Sequence, residues 1–147
     1  MRGHHHLSFV LAAAGLLAGC ASDSNTVGMM KTYHATLSGA QEVPPTSSSG
    51  QGSAEFTVDP DSRKVSWNVS YSGLTGPAAA AHIHGPAAPG SNAGVVVNIA
   101  AGGTASPIQG SAVLTDAQLA DLMAGKDYVN IHTGQNKGGE IRGQITP

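Results

Sequence analysis

Lys64-Val65-Ser66-Trp67-Asn68-Val69-Ser70-Tyr71 carries the strongest two-residue alternation in the chain. Val65, Trp67, Val69 and Tyr71 fall on one face, and Lys64, Ser66, Asn68 and Ser70 on the other. That period is the period of a half-buried strand. It puts Trp67 at the centre of a core. Working outward, Asp59-Pro60-Asp61-Ser62 makes a turn, because Pro fixes φ and Asp bonds the local backbone. Ala54, Phe56 and Val58 alternate before it, and Tyr33, Ala35 and Leu37 alternate earlier still. Ser38 to Pro45 breaks the pattern, since proline cannot donate to a ladder.

Beyond the central stretch, Gly73 to Pro77 turns the chain into Ala80-Ala81-His82-Ile83-His84-Gly85-Pro86. The β-branched run within Gly94–Ala100 predicts a more buried strand, and Ile108–Leu114 a weaker one. Thr115 with Gln118 three residues on forms a capping-box pattern. Leu119, Leu122 and Met123 supply the apolar stripe of one short helix, which Gly125 ends. Tyr128–Thr133 and Glu140–Ile145 close the chain as strands. About eight strands with frequent turns and one helix predict an all-β sandwich or barrel.

The composition agrees. Of 147 residues, 11% are charged and 4% aromatic, with 20 glycines and a net charge of −2. No basic cluster exists to bind nucleic acid, which needs a concentrated positive face. Cys20 is the only cysteine, so no internal disulfide forms.

Residues 1–19 read as a secretory signal, with Arg2 ahead of the apolar run Leu7–Leu17. That run is too short to span a bilayer. Leu17-Ala18-Gly19-Cys20 resembles the bacterial lipoprotein signal, which implies lipidation of Cys20. Ala21 after the cysteine implies the outer membrane, or more broadly an envelope location with a lipid anchor. His4, His5 and His6 lie inside the leader and leave with it. Residues 20–30 read as a flexible tether, and residues 31–147 as one domain.

The polar residues of the domain share a phase. His82 and His84 flank Ile83, His132 follows Ile131, and Glu140 and Arg142 flank Ile141. In each case the apolar residue faces the core and the polar ones face the other way. Three imidazoles on one sheet face suit copper or zinc. Glu140 is expected to accept a proton from a ligating imidazole. Arg142 is expected to pair with Glu140 or draw an anion toward the metal. Glu42 is a further carboxylate near the site. His34 joins only if its strand is adjacent, and Asn130 shares the His132 face. Met29 and Met30 fall in the tether. No nucleophile signature or carboxylate pair marks a hydrolase.

Leu37–Pro45, then Ala81–Ala87, then Tyr128–Thr133 with Gly138–Ile145 together resemble the CHRD domain, a family named from repeats in extracellular chordin. The resemblance implies an immunoglobulin-like β-barrel, located outside the cytoplasm, with no well-established general activity. A looser resemblance links His82, His84, Arg142 and Gly143-Gln144-Ile145 to Cu/Zn superoxide dismutase. The usual zinc ligands, the bridging histidine and the disulfide of that enzyme have no counterpart here. The expected function is therefore a lipid-anchored protein binding copper, with zinc as the alternative ion, through His82, His84 and His132. A dismutase-like copper enzyme and a protein-binding module without metal are the competing readings.

Overall fold

The computed structural model describes residues 28–147. The leader, Cys20 and most of the tether lie outside the described residues. Among the described residues, no helix is long and apolar enough to cross a membrane.

Eight strands follow the chain: β1 Lys31–Ser38, β2 Gln51–Asp59, β3 Lys64–Ser72, β4 Ala78–His84, β5 Val95–Asn98, β6 Ile108–Val113, β7 Tyr128–Thr133 and β8 Ile141–Gln144. They form one sheet in the order β5-β4-β7-β8-β1-β2-β3-β6, with every pair antiparallel. The sheet curls until its two ends approach. Trp67 Nε1 on β3 donates to the Ile99 carbonyl, and the Tyr71 hydroxyl donates to the Thr104 carbonyl. The segment leaving β5 thus spans the gap to β3 through side chains, making a nearly closed all-β barrel.

Alternation explains which residues fill it. Phe56, Val58, Val65 and Val69 are all fully buried, as are Leu37, Ile83, Ile131 and Ile141. Trp67 lies at the side of this core, 7% exposed. Room for its indole comes from Gly110, where a Cβ would stand 2.7 Å from Trp67 Cζ2. Gly143 has a related role, because a Cβ there would collide with the Thr36 carbonyl where β8 crosses β1.

The helix α1, Asp116–Met123, closes one side with Leu119 and Leu122 buried. Its capping box is complete: Gln118 N donates to Thr115 Oγ1 at 3.2 Å, and Thr115 N donates to Gln118 Oε1 at 2.9 Å. Gly125 follows at φ 72°, in the left-handed region expected past a helix end.

One element departs from expectation. The Val-rich stretch is not a buried central strand. β5 is an edge strand, and Val95 is 57% exposed. A β-branched run reports fit to a pleated surface, and that fit does not distinguish edge from centre.

Candidate metal centre

β4 and β7 pair directly, with His82 opposite Asn130 and His84 opposite Tyr128. His132 lies two residues beyond Asn130, on the same face. This register brings His82, His84 and His132 into one half-buried group whose candidate ligand atoms all lie within 4.8 Å of one another. The ring centroids are 4.9 Å apart for His82–His132, 5.5 Å for His82–His84 and 6.1 Å for His84–His132. The β4–β5 register shifts between Ile83 and His84, an irregularity of the kind that re-aims a side chain at a sheet edge.

Hydrogen bonds fix the tautomers. His84 Nδ1 lies 2.9 Å from the Ala93 carbonyl, and His132 Nδ1 lies 2.9 Å from the Lys137 carbonyl. A carbonyl only accepts, so both Nδ1 atoms carry hydrogen. In the neutral rings both Nε2 atoms then carry lone pairs. His132 Nε2 faces His82 Nδ1 at 3.0 Å and accepts its hydrogen. His84 Nε2 is buried without a hydrogen-bond partner. Burial comes first among the causes that lower the pKa values of His82 and His84, and the neighbouring imidazoles push the same way. Both rings are thereby biased to the neutral form that binds metal.

These residues can hold a metal ion. The donor set is three imidazole nitrogens, those of His84 and His132 oriented by backbone carbonyls that serve as outer-shell acceptors, and an ion bound there would replace the hydrogen that His82 Nδ1 shares with His132 Nε2. Nitrogen-only sets suit zinc, copper or nickel over calcium or magnesium, which take oxygen.

The remaining expected residues are distributed differently. Glu140 does not accept from an imidazole. It is fully buried, with its carboxylate bonded to Ser48 Oγ, Thr75 N and Oγ1, Thr133 Oγ1 and Asn136 Nδ2. Burial pushes its pKa up, but the donors of Ser48, Thr133 and Thr75 outweigh burial and hold it at about 2. Backbone carbonyls take the imidazole hydrogens in its place. Glu140 and Arg142 form no ion pair either. The Arg142 guanidinium donates to Asn92 Oδ1 at 3.1 Å and to the Ser91 carbonyl at 2.7 Å. It also lies 3.4 Å from the centroid of the Tyr128 ring, which in turn stacks on His84 at 5.0 Å. Arg142 is 2% exposed and packs a wall of the site against Tyr128.

Glu42 is 4% exposed and lines an open cavity of about 440 Å³ together with Val43, Pro45, Pro89 and Arg142. Burial raises its pKa to about 7, against the opposing pull of Arg142 and the Asn130 amide. It is not among the residues whose candidate ligand atoms converge. His34 is exposed and outside the group, because β8 lies between β1 and β7. Met29 and Met30 are exposed.

Sequence reasoning assigns no role to Tyr128 or to the Ser91–Ala93 segment, and gives Asn130 only a shared face. For Tyr128 and Asn130 a signal is present, since alternation along β7 places both with His132. The Ser91–Ala93 contacts depend on backbone carbonyls of a loop, which no residue identity announces.

A half-buried cluster of three imidazoles on a barrel wall defines a β-barrel domain with a candidate metal centre. Residues 33–145 match the family model of the CHRD domain, and the chain belongs to that family. No curated protein and no solved structure matches the chain, so the dismutase likeness rests on its sequence motif alone.

Proposed function

We propose that this CHRD domain binds a transition-metal ion, copper foremost and zinc as the alternative, through His82, His84 and His132. The carrying observation is the convergence of these side chains with tautomers set by Ala93 and Lys137. Copper is favoured because neutral imidazoles accept both of its oxidation states, and Cu(II) heads the affinity order among divalent ions. The role is binding or handling of the ion outside the cytoplasm. The leader and Cys20 motif support a lipid-anchored envelope location, with the domain held at a membrane surface.

The test is a titration of the domain with Cu(II), Cu(I) and Zn(II), beside the His82→Ala/His84→Ala variant. Binding tighter than micromolar that the variant abolishes is the expected result. Binding that the variant leaves intact overturns the assignment. Labelling of Cys20 with a radiolabelled fatty acid in a bacterial host tests the anchor, with Cys20→Ser as the control that loses label.

A further inference from the structure

We propose that Asn130 completes the metal centre, its side-chain oxygen supplying a fourth donor beside the three imidazoles. The inference rests on the histidine reading and extends it from an N3 to an N3O site.

Position comes first. Asn130 stands directly across the β4–β7 ladder from His82, and two residues before His132 on the same strand. It is therefore central to the polar face that the three rings share. It is also 2% exposed, far more buried than an asparagine placed for solubility would be.

Orientation comes next. His84 follows His82 by two residues on β4, so Asn130, opposite His82, shares its face with both rings. A Cβ built on Gly139 would collide with both Glu42 Oε1 and Asn130 Nδ2, so the nitrogen end of the Asn130 amide is the end on the Gly139 side. Oδ1 is the other end of that amide, turned away from Gly139.

Satisfaction is the deciding point. Asn130 Oδ1 is buried with no hydrogen-bond partner, and so is His84 Nε2. Because His84 Nδ1 donates to Ala93, Nε2 of the neutral ring is an acceptor. Two buried acceptors on one sheet face, each without a donor, are each costly by a lost hydrogen bond. A cation between them satisfies both at once. With the amide turned over, its nitrogen would donate to His84 Nε2 and its oxygen would accept from a protonated Glu42 carboxyl, an arrangement that leaves no amide oxygen for the ion and in which the Asn130 truncations do not weaken binding. Oxygen donors from an amide are known as weak, long ligands in copper sites otherwise built from stronger donors. That is the role the geometry suits, since three imidazoles already provide the short bonds.

The experiment compares four proteins: the unaltered chain, Asn130→Leu, Asn130→Ala and the exchange pair Glu42→Gln/Asn130→Asp. The exchange keeps one carboxyl in the pair but moves it to the metal side, where the amide introduced at position 42 can still donate to it. Each is titrated with Cu(II) and Zn(II), and the Cu(II) forms are read by electron paramagnetic resonance. Far-UV circular dichroism checks folding. We expect the Leu and Ala variants to bind about 10- to 100-fold more weakly. Their Cu(II) spectra are expected to show altered g values and copper hyperfine splitting. The exchange pair is expected to recover or exceed the original Zn(II) affinity. Folded Leu or Ala variants with the original affinity and spectrum overturn the proposal. So does an exchange pair that binds Zn(II) more weakly than the unaltered chain, which also decides the matter if the truncations fail to fold. Failure of the unaltered chain to bind either ion refutes the histidine site itself, a different and separate result.

Discussion

Asp127 shows how strongly burial acts at a single residue beside this site. Its side chain is 1% exposed, both carboxyl oxygens lack a hydrogen-bond partner, and Gly85 leaves the space it occupies. Burial, aided by the charge of Asp121, raises its pKa from 3.8 to about 7. Between those values the folded chain holds a proton that the unfolded chain has released. Stability therefore falls as pH rises from about 4 to about 7, and the loss is complete above that. Asp127→Asn removes the titration. The variant is expected to be more stable than the parent at pH 8, by on the order of 1–3 kcal/mol, and close to it at pH 4. Urea midpoints at the two pH values check this. A stability difference that does not change with pH would falsify the assignment. Nothing local in the sequence singles out Asp127, since a carboxylate between Lys126 and Tyr128 looks like any turn residue. Its environment comes from the crossing at Gly85, 42 positions earlier in the chain.

At the scale of elements, the strands and the helix are readable because each rests on local periodicity. The Thr115–Gln118 box needs four residues and no tertiary context. Thr115→Ala should cost about 1 kcal/mol, read as a lower urea midpoint without loss of metal binding. Glu140 is the opposite case. Alternation puts it on the histidine-bearing side of β8, yet its partners Ser48, Thr75 and Asn136 all come from connections between strands. It ties three loops together at one end of the barrel. Its pKa is held at about 2 against an ordinary 4.5, so its stabilisation is present above about pH 4.5 and lost as pH falls toward 2. Glu140→Gln keeps the shape but removes the charge and one acceptor. We expect a loss of about 2 kcal/mol at pH 7, shrinking as pH is lowered toward 2, measured by urea unfolding at both ends of that range.

Across the whole molecule, the strand order β5-β4-β7-β8-β1 decides that the site exists, and it is set by long-range pairing. No local pattern announces that β4 will lie against β7, although 43 residues separate His84 at the end of one from Tyr128 at the start of the other. The phase of the histidines is legible in the sequence, and their convergence is not. That long-range character makes the site report on the fold. Its ligands come from two strands far apart in sequence, so the unfolded chain holds no preformed cluster. An ion that binds only the folded state stabilises it by RT ln(1 + [L]/Kd), about 2.7 kcal/mol at one hundred times Kd. For a domain of this size, that raises the melting temperature by roughly 10 °C. We expect this rise with Cu(II) in the unaltered chain, growing with the logarithm of ion concentration and reversed by a chelator. His82→Ala/His84→Ala should show none of it. His34→Ala should show all of it, because His34 stands on β1, with β8 between it and the site. An equal rise in all three proteins would mean that copper binds at scattered surface imidazoles and that the β4–β7 cluster has no special affinity.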